Sequence, residues 1–262
     1  MVGLNAIDTM FQQAKAENRA AFLPYFPIGY PNYDESLDAI EKMAEADVDG
    51  FEIGIPFSDP LADGPTNQAA MQIALENGTT VRDCIRGVRE LRARGISQPM
   101  LLMGYLNPLL AYGLEQYVLD AKAAGANGFI VPDLPPDEAA EFVSLCDREG
   151  MALVFFVAPT SNTERIKLVA DKARGFIYCV SLTGVTGERA ELPPDVREFI
   201  QRVREHTNKP LVMGFGISTP QQARMMNEFM DGFIVGSALV RAGKDGAVSV
   251  GALAASLRNA LN

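Results

Sequence analysis

The chain has 262 residues, nearly half of them apolar (48%), and a formal net charge of −10. That is enough apolar material for a full core, and the acidic balance excludes a surface built to track nucleic acid, which needs a basic stripe to replace phosphate counterions. Cys84, Cys146 and Cys179 are few, odd in number and widely spaced, which excludes a disulfide framework or a Cys-rich zinc site and fits a reducing compartment. The opening residues mix charge and polarity without the apolar core of a signal peptide, and the longest apolar runs, such as 151–158, are too short to cross a bilayer. The expected location is therefore the cytoplasm.

In chain order, an amphipathic helix at about 4–16 precedes a strand at 21–26 (AFLPYF). Further β-rich runs follow at 48–53, 99–104, 127–131, 151–157, 175–181, 210–213 and 231–235. Segments with helical spacing separate them, for example Leu37, Ile40, Met43 and Ala44, or Val196, Phe199, Ile200 and Val203. Eight strand-then-helix units predict an α/β chain folded as a single (β/α)8 TIM barrel over 1–262, with the N-terminal helix covering its bottom. No Ser/Gly-rich, Pro-rich or like-charge block marks a linker. An open doubly wound sheet also alternates strands and helices, but it more often carries a phosphate loop after strand one, where this chain has PIGYPN.

A Gly-Phe pair opens four strands, at Gly50-Phe51, Gly128-Phe129, Gly175-Phe176 and Gly232-Phe233, and Asp or Asn precedes three of them. Glycine there suggests a tight or left-handed turn into a buried strand.

Barrel enzymes place their chemistry at the C-terminal ends of the strands and often hold phosphate with the loops after strands seven and eight. Gly214-Phe215-Gly216 follows strand seven, and Gly236-Ser237-Ala238 follows strand eight, where a short helix start would aim free N–H groups at an anion. Gly187, after strand six, could close the cup; the alternative is that these are turn glycines only. Strand two carries Glu52, which alternation turns towards the barrel mouth if Phe51 and Ile53 pack on the helices. Partial desolvation there suits a carboxyl to proton transfer near neutral pH, whereas a salt-bridged Glu would be structural. Asp59 and Asp63 lie in the loop that follows. The loop 182–192 (LTGVTGERAEL) reads as a lid over the catalytic face or as an ordinary surface loop.

No lysine falls at the C-terminal end of an expected strand, which disfavours a Schiff base. His206, the only histidine, sits at the opposite side of the barrel, so a His-based metal site or triad is not expected. Proton transfer by carboxylates is the chemistry left.

The segment FEIGIPFSDPLADGPTNQ at 51–68 strongly resembles the signature of tryptophan synthase alpha subunits. The resemblance continues in order through YFPIGYPN, LMGYLNPLLAYG, GFIVPDLPPDE, YCVSLTGVTG, GFGIS and IVGSALV, covering essentially the whole chain. It implies a carbon–carbon lyase of tryptophan biosynthesis that cleaves indole-3-glycerol phosphate to indole and glyceraldehyde 3-phosphate. On this resemblance Glu52 is the general acid and base, Asp63 binds the indole N–H, and Tyr178 orients Glu52 or substrate, though Tyr178 could equally be a barrel-layer aromatic. Phosphate contacts map to Gly187, Gly216, Gly236 and Ser237, and Thr186 to the lid residue that bonds the loop aspartate on closure. Leu102, Phe215 and Ile234 map to the indole pocket, and Pro56 and Asp59 to positions that touch a partner. That partner is a beta subunit carrying pyridoxal phosphate, in an α2β2 heterotetramer, with no cofactor or metal in this chain. Two departures stand out: Pro27 and Leu182 occupy positions where some members have Thr and Arg, and read as variation in pocket rim and lid contacts. The alternatives are a free-standing lyase that releases indole, or a non-catalytic phosphate-binding barrel that regulates a partner.

Overall fold

The computed structural model describes residues 3–180, 194–214 and 216–262. Eight parallel strands close into a barrel in sequence order: β1 (Ala21–Pro27), β2 (Phe51–Gly54), β3 (Met100–Met103), β4 (Gly128–Ile130), β5 (Ala152–Val157), β6 (Ile177–Val180), β7 (Leu211–Gly214) and β8 (Gly232–Val235). All eight strand expectations are met, with ends displaced by up to three residues. The largest displacement is at 48–53, where the first three residues precede β2. The departure Pro27 is the last residue of β1.

Parallel pairing puts register partners on the same side of the wall, and every wall residue is covered by helices outside and side chains inside. Phe129 illustrates the outer side: its ring meets Tyr117 at 5.0 Å and Phe142 at 5.3 Å, both on surrounding helices. Phe51, Phe176 and Phe233 are likewise fully buried.

The repeated Asp/Asn-Gly-Phe turn has a physical cause that differs from a simple turn. Only Gly175 of the four glycines has a positive φ (96°). At the other three, space is the constraint. A Cβ on Gly50 would lie 2.8 Å from Met10 Sδ, one on Gly232 3.1 Å from a Phe11 ring carbon, and one on Gly128 2.5 Å from Ala152 Cβ. Met10 and Phe11 belong to the helix Leu4–Ala16, whose apolar face (Ile7, Met10, Phe11, Ala14) is buried under the barrel floor. Gly50 and Gly232 leave room for that plug, and Gly128 for Ala152 of the neighbouring β5.

The polar residue before each glycine serves the neighbouring strand. Asp49 accepts the N–H of Phe22 at 2.8 Å, Asn127 that of Met100 at 3.0 Å, and Asp231 that of Leu211 at 2.7 Å. Each also takes an arginine: Arg19, Arg92 and Arg204 respectively. The N–H groups at the start of these strands, and three guanidinium groups, are thereby satisfied at the floor. Arg19 and Asp49 form a bidentate pair at 2.6 and 2.7 Å with side chains 4% and 9% exposed. Asp49→Ala leaves the buried Arg19 guanidinium to the Glu17 carboxylate, 2.6 Å away and 56% exposed, and is expected to cost roughly 3 kcal/mol in urea unfolding, with Asp49→Asn costing distinctly less. Equal losses would show that the charge of Asp49, and not its acceptance of the Arg19 and Phe22 N–H groups, is what holds this corner.

Candidate active site

At the C-terminal end of the strands lies a cavity of about 690 Å³ whose lining includes Tyr25, Glu52, Asp63, Met103, Phe156, Tyr178 and Ile234. Its position follows from strand parity. Tyr25 registers with Glu52, and Phe156 with Tyr178, so these four share the interior face of the wall. Two interior glycines accommodate the rings: a Cβ on Gly54 would sit 2.6 Å from the Tyr25 hydroxyl, and one on Gly214 would lie inside the Tyr178 ring envelope at 1.9 Å.

Glu52 is 3% exposed, and no cation pairs with it among the described residues. Among the described residues nothing makes it one half of a structural salt bridge. Burial, with the negative charge of Asp63 as a second cause, raises its pKa from the ordinary 4.5 to about 8. A carboxyl in that range is protonated at neutral pH and can give up its proton without a large penalty.

Asp63 lies just before the helix Pro65–Glu76, which starts with proline in its first turn. Burial raises its pKa, while hydrogen bonds from Tyr105 and Asn67 oppose the rise. The Tyr105 hydroxyl donates to Asp63 Oδ2 at 2.7 Å and accepts the Ala62 N–H at 3.0 Å. Asn67 Nδ2 donates to Asp63 Oδ1 at 3.0 Å, and Gln68 Nε2 donates to the Asp63 carbonyl at 2.8 Å. A carboxylate held at both oxygens beside a helix N-terminus is disposed to stay charged. Two carboxyl groups in unlike surroundings, one bare and apolar and one polar and hydrogen-bonded, can divide the work of proton donor and charge stabiliser.

Tyr178 is buried, 4.7 Å from the Phe156 ring, and burial followed by the Glu52 and Asp63 charges pushes its phenol well above its ordinary value. It is thus both a barrel-layer aromatic and a cavity residue, neutral and able to donate.

Gly216, Gly236 and Ser237 also line the cavity. Gly236 precedes the short helix Ser237–Ala242, and Gly216 has a positive φ of 80°. The loop and helix start converge on the same mouth as Glu52 and Asp63. Gly187, Thr186, Leu182 and Phe215 lie outside the described residues, as does the segment 182–192.

Leu102 needs correction. It is fully buried but registers with Ile53, on the wall face opposite Glu52, and is absent from the cavity lining; Met103, which registers with Gly54, takes that place. Of the two expected partner-contact residues, Asp59 is exposed and Pro56 is buried; Leu61 on the same loop is 92% exposed.

Sequence reading missed Tyr25, Tyr105, Asn67 and Arg241. Tyr25 was findable by the same alternation that places Glu52, since it shares the interior-facing parity of Leu23 and Pro27 in β1. Tyr105 follows β3 and reaches Asp63 across 42 positions of sequence, which no local pattern marks.

A second groove, about 960 Å³, lies at the opposite end beside the plug helix, with His206, Lys167, Arg174 and Arg204 on its walls. Arg174 pairs with Asp147 and Arg204 with Asp231, so two of its cations are already engaged. No carboxyl comparable to Glu52 is there, and among the described residues no cluster could hold a metal.

The family model for the tryptophan synthase alpha chain matches residues 11–257. Tryptophan synthase alpha chains of Roseiflexus castenholzii and Chloroflexus aggregans are 48% and 47% identical over 237 residues, covering 90% of this chain and 91% and 89% of theirs. Among solved structures, a chain of M. tuberculosis tryptophan synthase in an aminoacrylate-bound form superposes with a TM-score of 0.90 at 33% identity, covering 98% of this chain and 99% of that one. The tryptophan synthase alpha chain of Legionella pneumophila gives 0.89 at 32% identity, covering 100% and 97%. Fold, signature loop and near-full-length identity agree: the chain belongs to the tryptophan synthase alpha chain family, lyases of tryptophan biosynthesis.

Proposed function

We propose that this chain cleaves indole-3-glycerol phosphate to indole and glyceraldehyde 3-phosphate by a retro-aldol step. The observation that carries this reading is the pairing of an unpartnered, proton-retaining Glu52 with a hydrogen-bonded Asp63 in one cavity. Glu52 protonates the indole carbon that bears the side chain. Asp63 takes the ring N–H and stabilises the positive charge that protonation places on the nitrogen. Glu52, now a carboxylate, accepts the proton of the side-chain hydroxyl next to the ring as the carbon–carbon bond breaks. The electron pair of that bond returns to the ring, so the indole leaves neutral and the aldehyde forms without a metal or Schiff base in the scheme. Tyr178 donates to Glu52 or to the substrate.

The phosphate end sits against Gly216, Gly236 and Ser237, with Gly187 completing the cup and Thr186 bonding Asp63 as the lid closes. Met103 and Ile234, with Phe215, wall the indole, Met103 replacing Leu102. A beta subunit that carries pyridoxal phosphate is the partner, met by the loop with Pro56 and Asp59 in an α2β2 assembly. The cytoplasm is the expected compartment, and residues 1–262 act as one catalytic domain. No described helix is long and apolar enough to cross a membrane.

The test is indole release from indole-3-glycerol phosphate by the purified chain, with and without a beta subunit. Release that rises on adding the partner is the expected result. Release indifferent to any beta subunit assigns a free-standing lyase, and no release in either condition removes the lyase reading in favour of a non-catalytic barrel.

A further inference from the structure

Asn67 lies one helical turn beyond Asp63, and its carboxamide is poorly explained by packing. Its nitrogen is engaged by Asp63 Oδ1 at 3.0 Å, but its Oδ1 is buried with no hydrogen-bond partner among the described residues, as is the Tyr25 hydroxyl on the same cavity wall. An amide that leaves a carbonyl unsatisfied costs stability that an aliphatic side chain of the same size would avoid. A polar pair one turn apart on a solvated helix is worth only a few tenths of a kcal/mol, too little to offset that cost. The amide is also confined: a Cβ on Gly236 would stand 3.5 Å from Asn67 Nδ2 and 3.2 Å from the Tyr25 ring. Asn67 is thus wedged between Asp63 and the start of the helix after β8.

We propose that Asn67 is a positioning residue for the lyase reaction, holding Asp63 by Oδ1 while Tyr105 holds it by Oδ2. The inference rests on the role proposed above for Asp63. With one donor on each oxygen, the carboxylate plane is fixed and one lone pair on each oxygen remains for a ring N–H. The Tyr105 hydroxyl is fixed too, because the Ala62 N–H occupies its oxygen and leaves its proton for Asp63. The groups that face Asp63 electrostatically are Glu52 on β2, Tyr25 on β1, Tyr178 on β6 and Tyr105, with Arg241 on the cavity rim. For Asp63 itself, burial favours the neutral acid and the two donated hydrogen bonds favour the anion. A charged Asp63 in turn helps to keep the proton on Glu52. Asn67 therefore supports both carboxyl groups while belonging to neither step.

The experiment is carbon-13 carboxyl NMR titration of Asp63 in the full chain, wild type, Asn67→Leu and Asn67→Asp, with kcat/KM for indole release followed across pH in parallel. Asn67→Leu removes the donor and Asn67→Asp replaces it with a second carboxyl. The Asp63 titration is expected to move to higher pH in both, further in Asn67→Asp. The acidic limb of kcat/KM moves in the same order, and kcat/KM near neutrality drops by about tenfold in Asn67→Leu. A titration unmoved in both variants overturns the proposal. So does lost activity with an unmoved titration, which would assign Asn67 to direct substrate contact. If the wild type releases no indole, the lyase reading fails, and the titration still decides whether Asn67 governs Asp63.

Discussion

Glu52→Gln is expected to reduce indole release by roughly two to four orders of magnitude, the usual contribution of a positioned acid–base group, while making the folded protein more stable above neutral pH. Both effects have one origin. The carboxyl is buried without a cation, and its pKa is about 8 in the fold against 4.5 ordinarily. Between those values the unfolded chain has released the proton and the folded chain has kept it, so the native state binds more protons and stability falls as pH rises. Below about pH 4.5 both states are protonated and Glu52 costs nothing. Above about pH 8 both are ionised and the full penalty is present, on the order of a few kcal/mol. Gln, nearly isosteric and never charged, removes it. Melting temperatures of wild type and Glu52→Gln should therefore coincide near pH 4.5, separate progressively up to pH 8, and stay apart beyond, with the variant higher. A constant difference across pH would show that the carboxyl is not held protonated, and activity surviving the substitution would remove Glu52 from the acid–base role.

Asp63→Asn should lower kcat by roughly a hundred- to a thousandfold, the scale seen when a preorganised electrostatic stabiliser is lost, and should also change the pH profile. Asp63's negative charge is one of the two causes that raise Glu52. Without it Glu52 titrates lower, so the alkaline limb of kcat, where the required proton is lost, moves to lower pH. An amide at position 63 keeps one acceptor for the Tyr105 hydroxyl, while its NH2 faces Asn67, whose own amide must turn over to accept it; the substitution therefore removes the charge and one accepted bond together. Loss of rate with an unshifted alkaline limb would mean that the two carboxyl groups do not sense each other.

Loss of Glu52 is expected to penalise catalysis and relieve the fold, and loss of Asp49 at the barrel floor to penalise the fold alone. Asp49 lies two residues before β2 and Glu52 three residues further along, inside it. Their difference is whether a buried charge has a partner: Asp49 has Arg19 and the Phe22 N–H, and Glu52 has neither.

How much of this was legible beforehand follows from the range of the forces involved. Alternation of strand and helix is written locally, so the eight strands, the plug helix at 4–16 and the barrel were readable from residues alone. Alternation within β2 also placed Glu52 correctly, because Gly50, Glu52 and Gly54 differ in kind from Phe51 and Ile53. In β3 the same rule has no purchase: Met100, Leu101, Leu102 and Met103 are all apolar, both faces of the strand are covered, and nothing local says which side is inside. The assignment of Leu102 to the cavity failed there, and pairing with β2 decided for Met103. The Gly-Phe repeat was visible as a pattern, but its reason, room for Met10 and Phe11 and a capping role for Asp49, Asn127 and Asp231, depends on contacts between segments far apart in the chain. So does the clamp on Asp63: Tyr105 and Asn67 are ordinary residues in sequence, and only closure of the barrel brings a phenol from beyond β3 onto a carboxylate from beyond β2. The architecture and the placement of the two carboxyl groups at the cavity were legible from residues alone, because periodicity and a long contiguous loop motif are local. Tertiary structure alone decided which apolar face looks inward and which polar groups set the charge of those carboxyls, because desolvation and hydrogen bonding are properties of the assembled wall.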